Sequence, residues 1–432
     1  MKGFQDSMNI DIKHLARMEG HANLVVDTAN GELKECRLEI VESPRFFEVM
    51  LKGRHYSDVA PIAARICGVC SVSHTLASLA ATENALGVKV SAQTLGLRRL
   101  LSYGENLQSH LLHLYFMAVP DYLGVPSLLP LVKTRRKLVA RALRLKKVAN
   151  DLVRIVGGRP VHPVTPRVGG FSALPAAQDL KELRRRLVAA LADLEETVAM
   201  FASFAVPEMA RETEYLCLDA AEGYPSLAAR MVSSDGIDAP VAEFPAIVQE
   251  YFKPYANAKF ARASRDTLMV GPLARYRNAA AKLSPMAKKV AAALSLDPAT
   301  TNPYHGNLAR LTEVVHFFEE AIHLIDSLLL KGIRSESIWV PPGGGTGAGA
   351  VEAPRGTLFH AYAYDEQGRI TAANCIIPTA QNLGNIEADL RALVPEILHL
   401  PKEEITTRLE MLIRAYDPCI SCSTHLVKVE YL

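Results

Sequence analysis

The sequence has few aromatic residues, little uncompensated charge and no long apolar run. Phe, Trp and Tyr make up 6% of its 432 residues, and Trp339 is the single tryptophan. The formal charge of +2 at pH 7 leaves no basic excess that would make nucleic acid or an anionic membrane surface the main partner. No stretch reaches the roughly 18 apolar residues of a membrane span. The most apolar segments, 111–119 and 323–330, read as buried helices. The first twenty residues lack the apolar region of an export signal, so the expected location is cytoplasmic, with export only on a partner's signal. Cysteine is sparse and odd in number: 36, 67, 70, 217, 375, 419 and 422. That argues against a disulfide framework. Cys36, Cys217 and Cys375 stand singly and read as small buried apolar side chains.

What is abundant is Ala, Leu, Val and Arg, within 49% hydrophobic content. This favours helix and is enough to bury a large core. The expected fold is mainly α with small β-hairpins (α+β), built on a long-helix bundle, with residues 1–432 as one domain. A hairpin is expected around T-A-N-G, from H-A-N-L-V-V-D and E-L-K-E-C-R-L-E-I-V-E, and a short helix follows, ending at Gly53. Helical spacing runs through 71–88, 91–119, 131–158 and 176–204. The third of these has a basic face that reads as a solvated surface. Segment 207–304 is mixed. A further helix covers 307–333, residues 341–356 read as a Gly-rich loop without a phosphate-binding G-K-[ST], and a second hairpin turns at D-E-Q-G. A closing helix over 403–416 runs into D-P-C-I-S-C.

Two C-x-x-C pairs carry the chemistry: Cys67/Cys70 in R-I-C-G-V-C and Cys419/Cys422 in D-P-C-I-S-C-S-T-H. Two-residue spacing lets both thiolates of a pair reach one ion. Four thiolates make a soft site suited to zinc, iron–sulfur or nickel. Structural zinc pairs usually lie within a few tens of residues of each other, whereas these lie at opposite ends of the chain and can close only in the finished fold. Spacing alone leaves structural zinc about even with a catalytic metal. Arg65, His74, Asp417 and His425 flank the pairs, and such groups suit a redox or proton-handling site. No βαβ pattern supports a thioredoxin-like role.

These signatures resemble those of the large, catalytic subunit of [NiFe]-hydrogenases. R-M-E-G-H (17–21), S-P-R-F-F-E (43–48), K-G-R (52–54), E-A-P-R-G (352–356) and I-I-P-T (376–379) follow in the order of that family. The resemblance implies a nickel ion held by four thiolates, Cys67 and Cys419 terminal, Cys70 and Cys422 bridging to an iron that carries CO and cyanide. It implies reversible cleavage of H2, with Glu19 as the first proton relay from Cys419. Arg355 and Thr379 become hydrogen-bond donors to cyanide, Asp417 a partner of Arg355, and His74 a donor to a bridging thiolate. A second site of magnesium or iron is implied on Glu48, the backbone carbonyl of Cys375 and His425. The implied partners are an Fe–S small subunit, flavin and NAD(P) diaphorase subunits, and a maturation protease. That protease normally removes a short tail after the C-terminal histidine, and L-V-K-V-E-Y-L follows His425 here. Ser109 stands where many members carry an Asp, as in cytoplasmic, cofactor-coupled members. The alternatives are a four-cysteine zinc protein or a nickel-less subunit of a respiratory complex.

Overall fold

The computed structural model describes residues 7–221 and 223–424. The N-terminal strands form an antiparallel sheet, β1 (Ser7–Ile12), β2 (Ala22–Ala29) and β3 (Glu32–Ile40). Along β2, buried and half-buried residues alternate, so Leu24 and Val26 face the core. The expected hairpin is therefore two strands of a three-stranded sheet. Helices α1 (Phe47–Leu51) and α2 (Tyr56–Ala63) lead to the first cysteine pair.

Helix α3 (Ser71–Leu86) begins directly after Cys70 and ends at Gly87, whose φ of 66° suits a residue without Cβ. α4 (Ala92–Leu112) starts at Ser91, whose side chain accepts from the Thr94 N–H. Its α-helical bonding stops at Leu112, and a π-helical turn, His113–Ala118, continues it. The periodicity alone predicts an unbroken helix to Val119. His113 opens this turn and lies beside Asp417 and Asn307, and π-turns are frequent at functional sites. α5 (Arg136–Gly157) and α9 (Gly306–Lys331) pack against α4. The expected single helix over 176–204 is broken at Ala190 into α6 (Ala177–Ala189) and α7 (Leu191–Ala202).

One region gives the mixed expectation its detail and one departs from expectation. Segment 207–304 contains a four-stranded sheet of β4 (Glu214–Asp219), β5 (Arg230–Ser233), β6 (Asp238–Pro240) and β7 (Leu268–Met269), followed by α8 (Pro272–Ala279). The Gly-rich run is not a loop over its whole length. From Gly345 it is the strand β8 (Gly345–Ala353), paired with β9 (Gly356–Tyr364) and then β10 (Ile370–Ile376). Its glycines are explained by α3. A Cβ at Gly345, Gly347 or Gly349 would lie 2.6 Å or less from the backbone of Ala85, Ala81 or Ala77. Only hydrogen at those positions lets the strand lie on the helix backbone.

α10 (Pro378–Ile397) and α11 (Lys402–Ala415) complete the chain, followed by a single turn at Ile420–Ser423. One buried cluster contains residues from Ile10 to Cys422. Among the described residues, no helix is long and apolar enough to cross a membrane.

Candidate metal centre

The two cysteine loops meet between the start of α3 and the turn after α11. Cys67 Sγ lies 3.5 Å from Cys419 Sγ, Cys70 Sγ 3.4 Å from Cys422 Sγ, and Cys419 Sγ 2.8 Å from Cys422 Sγ. All four sulfurs fall within 4.8 Å of one another and all four residues are buried. Hydrogen bonds from Cys419, Cys422 and Cys70 hold the Cys67 thiol well below its ordinary range, while burial pushes Cys419 and Cys422 well above it. Packed thiols that share charge in this way are primed for a cation.

Three residues fasten the loops. Glu19 is bound to Cys419 twice. Their backbones form a parallel bridge, with the Ile420 N–H on the Glu19 carbonyl at 2.9 Å, and Cys419 Sγ lies 3.0 Å from Glu19 Oε2. The same carboxylate oxygen accepts the Ser421 N–H at 3.0 Å. Thr379, at the start of α10, accepts the Cys419 N–H at 2.9 Å, which leaves its hydroxyl proton free to be donated. Arg45 donates to the carbonyl of Ile66, before Cys67, and to that of Ser421, before Cys422.

A cavity beside the sulfurs is lined by Cys70, Cys419, Cys422, His74, Arg355 and Thr379, with Leu358, Ile377 and Pro378 as an apolar wall. Arg355 enters from the β8–β9 turn. Gly356, with φ +136°, turns the chain immediately behind it, a conformation L side chains rarely adopt. Arg355 donates to the Asp417 carbonyl at 2.7 Å and to its carboxylate at 3.1 Å. His113 Nδ1 lies 3.1 Å from the same carboxylate. Burial opposes ionisation of Asp417, yet Arg355 and His113 hold it well below the carboxylate range. Asp417 also sits at φ 53°, a strained choice for a residue preceding proline.

Arg355 Nη1 and His74 Nε2 are buried and have no protein partner. A buried guanidinium N–H left unbonded is costly, and here it lines the cavity beside the thiols. This donor set fits a soft metal centre bearing a hydrogen-bond acceptor.

A model of the nickel-dependent hydrogenase family matches residues 45–140 and 242–425. The chain belongs to that family. It is 34% identical over 422 residues to sulfhydrogenase 1 subunit alpha of Pyrococcus furiosus, covering 97% of this chain and 98% of that one. Sulfhydrogenase 2 subunit alpha of the same organism is 32% identical, at 98% and 100% coverage. A crystal structure of an NAD+-reducing [NiFe]-hydrogenase in the H2-reduced state superposes with a TM-score of 0.87 at 26% identity, covering 97% of this chain and 99% of that one. This hydrogenase subunit is thus an oxidoreductase acting on H2, and its cluster of four cysteines, a group able to hold a metal ion, supports a nickel–iron centre. The zinc-protein and nickel-less readings are not favoured.

Of the residues expected at the hydrogenase site, Cys67, Cys70, Cys419, Cys422, Glu19, His74, Arg355, Thr379 and Asp417 come together. Glu48 and Cys375 lie apart from them but adjacent to each other, the Cys375 N–H donating to Glu48 at 2.9 Å. Lys259 bridges Glu48 and Glu250, at 3.4 and 3.0 Å. Arg65 is exposed. His425 and the tail after it lie outside the described residues.

Sequence reasoning missed Arg45, His113, His360 and Glu105 as site residues. Glu105 on α4 accepts the N–H groups of Val72 and Ser73 at 2.6 and 2.8 Å, capping α3 just behind Cys70. Burial pushes its pKa up to about 7, although the Ser73 and Val72 bonds oppose the rise. The signal for Arg45 lies in the motif S-P-R-F-F-E, of which it is the arginine.

Proposed function

We propose that the chain is the catalytic subunit of a cytoplasmic, bidirectional [NiFe]-hydrogenase whose electrons pass to an Fe–S small subunit and on to NAD(P) or a similar carrier. The observation that carries this reading is the four-sulfur cluster with Glu19 Oε2 3.0 Å from the Cys419 sulfur. When bound, the nickel–iron group supplies the soft, thiolate-ligated chemistry that splits H2 into protons and electrons. Cys67 and Cys419 are assigned as terminal nickel ligands, and Cys70 and Cys422 as bridges to an iron carrying CO and cyanide. Leu358, Ile377 and Pro378 suit CO, which needs no hydrogen bond. Arg355 Nη1 and the Thr379 hydroxyl supply donors for cyanide.

Glu19 takes the proton from the Cys419 sulfur, because a general base must stand within hydrogen-bond reach. Asp417 keeps Arg355 in place and balances its charge. Electrons need a partner, because among the described residues the remaining cysteines Cys36, Cys217 and Cys375 are buried singly. The surface beside the first cysteine pair suits docking. Phe46, Val161 and Val164 are exposed, and His162 ties the segment of Val161 and Val164 to the residues flanking the first cysteine pair through Ala64 and Ser71. The sulfhydrogenase relatives are alpha subunits by name, and the superposed hydrogenase reduces NAD+. These likenesses support flavin-containing diaphorase partners.

The second site, magnesium or iron on Glu48, the Cys375 carbonyl and His425, is proposed with Lys259 as a neighbour that balances the Glu48 charge. A maturation protease acting after His425 is part of the same reading. Purified complex should contain one nickel per chain and show infrared bands of CO and cyanide. Zinc alone would refute the assignment.

A further inference from the structure

Behind the cavity, α3 and β9 face each other through a set of polar side chains, and further along the same two elements Thr82 bonds the Tyr364 hydroxyl at 2.7 Å. His74 and Ser78 are one helical turn apart on α3, and His360 and Tyr362 share one face of β9. All four are buried. His74 Nδ1 lies 3.1 Å from His360 Nε2, and His360 Nδ1 lies 2.5 Å from the Tyr362 hydroxyl. The Tyr362 hydroxyl also reaches Ser78 Oγ, at 3.2 Å. His74 lines the cavity with Cys70 and Cys422, and its outer nitrogen, Nε2, has no protein partner.

A wholly buried imidazole stays neutral unless paired with a charge. It then carries one N–H, and the bond made by one nitrogen decides the state of the other. Tyr362 has a single proton and three neighbours that could accept it, His360 Nδ1, Ser78 Oγ and the Cys375 thiol, of which sulfur is the weakest acceptor. The imidazole nitrogen at 2.5 Å is the more basic and the nearer, so it takes the proton ahead of the hydroxyl at 3.2 Å. His360 then carries its own proton on Nε2 and donates to His74 Nδ1. His74 is left with its proton on Nε2, the nitrogen without a protein partner. Were Tyr362 to donate to Ser78 instead, both rings would flip and His74 would present a lone pair to thiolates that can only accept.

We propose that Tyr362, acting through His360, fixes His74 in the tautomer that presents Nε2–H to the bridging thiolates, which makes Tyr362 a positioning residue of the metal centre. The benefit rests on the nickel–iron reading above, whereas the tautomer itself is a property of this chain alone.

The test uses the full metal-free chain labelled with 15N-histidine, with the His74 signals assigned by their loss in His74→Gln. Protonated and unprotonated ring nitrogens resonate far apart. Wild type and Ser78→Ala should both show His74 protonated at Nε2, and Tyr362→Phe should mix or reverse the tautomers. An unchanged His74 in Tyr362→Phe, or protonation at Nδ1 in wild type, overturns the proposal. In the metal-loaded complex, Tyr362→Phe and His74→Leu should lower the CO stretching frequency alike, as a hydrogen bond to a bridging sulfur is lost. A His74→Leu band at the wild-type position overturns the proposed hydrogen bond from His74 to the thiolates, and does so independently of the tautomer result.

Discussion

Glu19 and Cys419 are joined at two levels, by a parallel backbone bridge and by a carboxylate oxygen 3.0 Å from the sulfur. The first fixes the distance that the second uses. Glu19→Gln keeps an oxygen for the Ser421 N–H but removes the proton acceptor. H2 oxidation should fall about 10²–10⁴-fold, with nickel content and infrared bands unchanged. Wild-type turnover in this variant would eliminate the relay role.

Arg355→Lys tests the fork. Lysine keeps the charge beside Asp417 but cannot serve its carbonyl, its carboxylate and the cavity at once. Turnover should drop about 10²–10³-fold, the usual cost of one preorganised donor, while the thermal midpoint changes little. Equal activity of the two enzymes would show that Nη1 has no task in the cavity.

Arg45 holds the carbonyls of Ile66 and Ser421, one from each cysteine loop. Arg45→Ala should loosen the loops relative to each other. Nickel per chain should fall after dialysis against a chelator, with helical circular dichroism retained. Full nickel retention would mean that the metal alone holds the loops.

Gly347→Ala would press a methyl into the backbone of Ala81 and Ala85. Backbone cannot step aside as a side chain can, so the loss of stability should be about 1–3 kcal/mol or more. Denaturant unfolding of the variant reads this directly, and an unchanged midpoint would contradict the packing described.

His316 on α9 accepts the Ser284 N–H through Nδ1 at 3.1 Å, and burial pushes its pKa down to about 4. The unfolded chain, with its histidine near 6.5, binds that proton first. The contribution to stability is therefore complete above about pH 6.5 and is lost as pH falls toward 4, on the order of 3 kcal/mol in all. His316→Gln, which keeps an acceptor, should flatten the dependence of the unfolding midpoint between pH 7 and 5. A slope equal to wild type would remove His316 from the acid response.

The site was largely legible because thiolates, carboxylates and Arg355 lie in short motifs whose types state their chemistry. Arg45 and Tyr362 were harder to read. Arg45 acts on backbone carbonyls, which leave no mark in sequence, and Tyr362 acts through a second residue. The long helices showed themselves by period. The sheet over Glu214–Met269 did not, because its strands are short and pair across gaps. β8 was hidden because glycine has no side chain with which to signal a buried face. The alternation G-x-G-x-G opposite Ala77, Ala81 and Ala85 was the available clue.

That strand has a further consequence. α3 starts at the residue after Cys70, and β8 ends two residues before Arg355. The two elements rest on each other backbone to backbone, so the spacing between a metal ligand and its arginine is gauged by main chain alone. Side-chain substitutions around the cavity can alter its polarity or its volume, but they cannot easily move Arg355 toward or away from Cys70. Variation in reactivity among proteins built this way should therefore come from what lines the cavity, with its dimensions conserved by the zipper of glycines.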